Sequence, residues 1–133
     1  MNGDRIRFID HRGKRILLVD CTDCTPHQIA AISILLPSFV STEPRGSLLI
    51  LGDFTGAQVD RYALEALKKG IVFDRPYLKR SAWVVKNNIP KAFMDAMRSF
   101  SVRDLPTFHT REQALSYLVG EDEEETQKLA SPA

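Results

Sequence analysis

Residues 5–10 alternate polar and apolar side chains, with Ile6 and Phe8 between Arg5 and Arg7. A two-residue period of this kind predicts a half-exposed strand. Residues 14–20 instead carry an unbroken run, Ile16-Leu17-Leu18-Val19, as expected of a strand covered on both faces. The His11-Arg12-Gly13 step between them reads as a hairpin turn, which puts the first strand at a sheet edge.

The period then changes. Thr25, Pro26 and Gln28 form an N-cap, a proline at the first helical position and a capping box. Ile29, Ile32, Leu35, Leu36 and Phe39 supply an apolar face, and Pro37 predicts an end or kink near Leu36. Residues 48–51 make a second unbroken strand closed by Gly52-Asp53. Thr55-Gly-Ala-Gln58 repeats the box, so a second helix is expected from there. Its stripe is Val59, Tyr62, Ala63, Ala66 and Leu67, and Gly70 is its expected end. Residues 71–80 read as a basic connection and 82–85 as a buried strand. Asn87 or Asn88 is the expected cap of a helix with Ile89, Phe93, Ala96, Met97 and Phe100 inward. A short apolar piece at Thr107-Phe108 precedes a third box, Thr110-Arg-Glu-Gln113, which opens a helix with Ala114, Leu115 and Leu118 inward.

The predicted order is β-β-α-β-α-β-α-β-α. Strands alternating with helices require crossovers, hence an α/β fold with a mixed, mostly parallel sheet and helices packed on it. The length of 133 residues suits one domain with a core of its own. A hydrophobic fraction of 44% and a charged fraction of 26% are ordinary globular values. The formal net charge is +1, which argues against nucleic acid as a partner. That balance divides unevenly: residues 120–133 carry five acids and one lysine, leaving a body of about +5. We therefore expect a folded domain over residues 1–119 and an acidic, disordered tail over 120–133. The polar opening residues and the lack of a long apolar run predict neither a secretory signal nor a membrane span, so the expected location is cytoplasmic.

In an open α/β sheet ligands collect beyond the carboxyl ends of the strands. Asp20-Cys-Thr-Asp23, Asp53-Phe-Thr-Gly56, Lys86-Asn-Asn88 and His109-Thr110 should meet there as a polar crevice. The candidate binding residues are Asp20, Thr22, Asp23, Asp53, Phe54, Gly56, Asn87 and Asn88.

The strand order and the Leu-Ile-Leu-Gly-Asp-Phe-Thr-Gly turn resemble the STAS fold of anti-sigma-factor antagonists. The SpoIIAA-like branch is the more similar. Its early Phe/Ile hairpin, strand-ending Asp and C-terminal Phe-x-Thr-x-x-x-Ala-Leu-x-Tyr-Leu pattern resemble Phe108 to Leu118, and the similarity spans about residues 5 to 119. The resemblance implies a single-domain sandwich of that type and a non-enzymatic regulatory module. Its partner would be a protein, a regulatory kinase or an anti-sigma-like factor. In such antagonists the hydroxyl residue before the turn glycine is phosphorylated. Here that makes Thr55 the candidate phosphoacceptor, with Asp53 and Gly56 in their places. Phe54 departs from the usual small polar residue. The alternative function is a binder of a small molecule or lipid in the same crevice, with Arg75, Lys79 and Arg80 as a basic patch for an acidic headgroup.

Other chemistries are weaker. Cys21-x-x-Cys24 lies upstream of a helix start that Thr25 and Pro26 already fill, which favours two reduced structural thiols over a redox motif. Cys21, Cys24 and His27 give three zinc ligands where a structural site needs four, so neither metal nor cofactor is expected. No dinucleotide, phosphate-loop or nucleophile-elbow motif is present, and catalytic residues are not assigned. An edge hairpin also admits pairing with a second copy as a homodimer.

Overall fold

The computed structural model describes residues 2–99 and 105–120. The acidic tail beyond Gly120, and Phe100 on its expected helix face, lie outside the described residues. After a 3-10 turn at Asn2–Arg5, the alternating segment forms β1 (Ile6–His11). It pairs antiparallel with β2 (Lys14–Asp20) across Arg12 and Gly13, and stands at the sheet edge as its pattern requires. Parallel strands β3 (Leu48–Asp53), β4 (Leu78–Val84) and β5 (Thr107–Phe108) follow, giving one five-stranded sheet in the order β1-β2-β3-β4-β5. The chain is thus α/β with a mixed, mostly parallel sheet.

The unbroken apolar runs are explained by burial on both faces. Leu17, Val19, Leu48, Ile50 and Trp83 point to one side, under α1 (Pro26–Val40), α2 (Arg61–Asp74) and α3 (Lys91–Ser99). Ile16, Leu18, Leu49, Leu51, Ala82 and Val84 point to the other, where Ala114 and Leu118 of α4 (Arg111–Leu118) cover them.

Four expectations about the helices are corrected. Pro37 does not end α1, which runs on to Val40, and the Ser41 N–H donates to the Pro37 carbonyl. A proline inside a helix costs about 3 kcal/mol. Continuing the helix buries Val40 fully, a side chain that returns about 2 kcal/mol, and packs Phe39 against the same core. The second helix does not start at Thr55: α2 begins at Arg61, with the Asp60 carboxylate accepting from the Ala63 N–H at 2.9 Å. Nor does Gly70 end it, since α2 continues to Asp74 and β4 follows a single 3-10 turn at Arg75–Tyr77. The expected basic connection is therefore the last turn of α2, that short turn and the start of β4. Finally, neither Asn87 nor Asn88 caps α3, whose first turn bonds instead to the Pro90 carbonyl. Leu35 and Tyr62, expected inward, are exposed, whereas Leu64 and Met94 are buried. The full capping box at Thr25 and the Thr110 cap of α4 are both present.

Candidate functional site

Asp20, Asp53, Val84 and Phe108 are register partners across four adjacent strands, so those strands end level with one another. This is why the four polar segments meet. Cys21 N–H donates to the Asp53 carbonyl, Asp23 N–H to Thr55, Phe54 N–H to Val84 and Val85 N–H to Phe108. The first three turns share one design. A left-handed residue stands three positions after each strand end: Asp23 (φ 56°), Gly56 (φ 72°) and Asn87 (φ 56°). Asn and Asp tolerate that region better than other non-glycine residues. At position 56 the left-handed φ favours glycine, and a Cβ there would also have to push the exposed Asp23 carboxylate aside.

The first two turns are chemical repeats as well. Thr22 donates to Asp20 Oδ1 from both its N–H (3.1 Å) and its hydroxyl (2.6 Å). Thr55 does the same to Asp53 Oδ1, at 3.0 and 2.7 Å. Thr55 is therefore fixed in a strand-end turn and is not an N-cap. Residues on this register side face α4, and so do both carboxylates. The first residue of α4, Arg111, lies across them: Nε and Nη2 are each 2.9 Å from Asp53 Oδ2, and Nη2 is 3.7 Å from Asp20 Oδ1. Arg5 reaches the first turn from the other side, donating to the Thr22 carbonyl at 2.9 Å and the Asp20 carbonyl at 3.2 Å. Burial works to raise the Asp20 pKa. The Thr22 hydroxyl and N–H, then Arg111 and Arg5, outweigh it and hold the carboxyl below its ordinary value.

Sequence reasoning missed Arg111 and Arg5. A signal existed, since a cation in the first turn of a helix opposes the macrodipole and needs a reason to be there. Two aspartates ending adjacent strands on one face supply it.

The remaining candidates separate into outward and inward groups. Asp23, Gly56 and Asn87 are exposed at the rim, with Thr22 and Thr55 partly so. Asn88 is spent inside it: its Nδ2 donates to the Phe54 and Ala57 carbonyls at 2.8 and 2.9 Å, and its Oδ1 accepts from the Lys86 N–H. Asn88→Ala leaves the Ala57 carbonyl without its donor and strips one of two donors from the Phe54 carbonyl, which keeps the Ala57 N–H. It should cost about 2 kcal/mol in chemical denaturation without moving any exposed rim group. Phe54 is buried and stacks on Trp83 with ring centroids 4.6 Å apart, so its ring does not stand beside Thr55.

The basic residues do not converge on this rim. They belong to the opposite end of β4. Arg80 donates to the Tyr117 carbonyl at 3.0 Å and covers that ring, the Arg75 Nε is buried without a partner among the described residues, and Lys79 is exposed. Cys21 and Cys24 are both buried and unbridged. Their mutual hydrogen bond, with burial, pushes the Cys21 thiol well up, and the same bond pulls Cys24 below its ordinary value. Among the described residues no group of three or more His, Cys, Asp or Glu is placed to hold a metal, and no helix is long and apolar enough to cross a membrane. Compared with protein-family models, curated proteins and solved structures, the chain has no match.

Proposed function

We propose that the protein is a non-enzymatic regulatory module of the STAS type, SpoIIAA-like branch, acting in the cytoplasm and binding a protein partner through the exposed rim at Thr22, Asp23, Thr55, Gly56 and Asn87. The observation that carries this reading is the setting of Thr55. The residue is partly exposed at a turn tip, and its hydroxyl donates to Asp53 Oδ1, on a carboxylate shared with Arg111.

A phosphate on Thr55 would bring about −1.5 to −2 charges beside Asp53. The N-terminus of α2 does not offset that charge, because α2 starts six residues later. The added phosphate loses the hydroxyl bond to Asp53 and competes for Arg111. Both effects loosen the Thr55 turn while the sheet beneath stays fixed, which is how one modification would switch partner binding without refolding.

Intact-mass measurement of the chain purified from its own host should show a fraction carrying one phosphate, mapped to Thr55. Thr55→Glu should weaken capture of the protein partner by about tenfold or more. An unmodified Thr55 under every growth condition, together with a Thr55→Ala variant that keeps every partner, would sink the reading. The alternative, a binder of a small molecule or lipid in the same rim crevice, predicts a bound compound in native mass spectra and indifference to Thr55→Glu.

A further inference from the structure

Away from the rim, a cavity of about 70 Å³ lies between α1, α2 and the face of the sheet beneath them. Leu36, Ile50, Leu67 and Trp83 wall it, and Asp74, on the last turn of α2, lines it as well. Protein interiors are close-packed, and a void lined by apolar groups forfeits contacts on every side. Two further facts mark this one as more than a packing fault.

The first is Asp74. It is 7% exposed, and its Oδ1 has no hydrogen-bond partner among the described residues. Buried polar atoms are nearly always satisfied, so an orphaned carboxyl oxygen on a cavity wall indicates an absent donor. Its position at a helix C-terminus sharpens the point, because the macrodipole there favours a cation. The second fact is Gly70, which lies within α2 and lines the same cavity. Glycine weakens a helix interior relative to alanine. A Cβ at position 70 would meet nothing within 4 Å, so neither close packing nor a left-handed backbone demands the glycine. What it does preserve is the open space.

Water alone fits this chamber poorly. A buried water needs two to four polar partners. A single water would find only the minimum here, Asp74 Oδ1 and the Ser81 hydroxyl, because Ser33 on the wall already donates to the Ile29 carbonyl and most of the rest is hydrocarbon. The volume is roughly half that of a cavity that takes benzene, which limits an occupant to a few heavy atoms. A desolvated carboxyl gains most from a charged donor. We infer that this cavity binds a small aliphatic primary amine, its hydrocarbon body against Trp83 and Leu36 and its ammonium group on Asp74 Oδ1. This inference is independent of the switch at Thr55.

Isobutylamine is a suitable probe, followed by amide and indole N–H shifts in two-dimensional NMR. Saturable shifts are expected at the Trp83 indole and the Gly52 and Gly70 amides. Asp74→Asn keeps the shape and removes the charge, and should weaken binding about tenfold or more. Gly70→Leu, one helical turn before Asp74, fills the chamber while keeping the carboxyl in the chain. It should abolish the shifts while rim resonances at Gly56 and Asn87 stay in place, which shows that the fold is intact. Three results would each overturn the inference: no saturable shift in the wild type, binding unchanged by Gly70→Leu, or isobutanol binding as tightly as the amine. A crystal soaked in isobutylamine that holds only water at Asp74 Oδ1 would do so too.

Discussion

Raising the pH from 5 to 8 is expected to destabilise the wild-type chain relative to its Asp74→Asn variant by about 3 kcal/mol. Burial pushes the Asp74 carboxyl up from 3.8 to about 7. The folded state thus holds a proton that the unfolded chain has already released. Below about pH 3 both states are largely protonated, and the shift contributes little. Between the unfolded and folded values the unfolded state gains by ionising, so stability falls steadily and levels off above pH 7. The full penalty is about 4 kcal/mol, of which roughly 3 develops between pH 5 and 8. The other carboxyls are common to both proteins, including Asp20, whose lowered value works in the opposite direction. Subtracting the two urea denaturation series at each pH therefore isolates Asp74. A gap that stays constant across this range would mean that Asp74 is already ionised and partnered in the folded state.

How far such features can be read from the chain is best seen where one motif has two outcomes. Thr-x-x-Gln occurs at 25–28, 55–58 and 110–113, and only the second fails to open a helix. At the first site Pro26 presets a helical backbone behind Thr25. At the second, Asp53 draws in both the N–H and the hydroxyl of Thr55, and Gly56 takes a left-handed φ that no first helical turn accepts. The local capping signal lost to a stronger partner two residues upstream. The same competition explains Asn88, which looked like a helix cap and instead clamps the third turn to the second. By contrast, the hairpin, the doubly covered strands and the level strand ends follow from short-range pattern, because each needs only neighbouring residues to agree.

Asp74 illustrates what sequence pattern conceals. A glycine at 70, with a proline six residues later, is an ordinary helix end. Only the packing of α2 on α1 carries that helix one more turn and puts a carboxyl inside. The Arg111 link is similar. Its partners are 58 and 91 positions away in the chain, and it is the register between β2 and β3 that places them side by side.

That link should be the main polar fastening of the rim, and Asp53→Ala is expected to cost about 3 kcal/mol in urea denaturation at neutral pH. Asp53 is 4% exposed and accepts from the Thr55 N–H, the Thr55 hydroxyl and two Arg111 nitrogens. Each neutral bond contributes about 1 kcal/mol. The Arg111 pair would give more if dry, but its side chain is 36% exposed, so solvent screening reduces that share to about 1 kcal/mol. Asp53→Asn keeps the acceptor for Thr55 and should lose about half as much. Arg111→Met leaves a buried carboxylate beside Asp20 without its cation, and should fall between the two. Because Asp53 and Arg111 act on each other, the double variant Asp53→Asn with Arg111→Met should cost less than the sum of the single changes, by about 1 kcal/mol. Strict additivity would show that Arg111 merely rests on the rim. A cost below about 1 kcal/mol for Asp53→Ala would mean that the backbone bonds between the turns hold the site without it. With the predicted coupling, Thr55 is the exposed end of a chain of contacts running through Asp53 to α4, and a charge added to its hydroxyl is felt at the first turn of that helix.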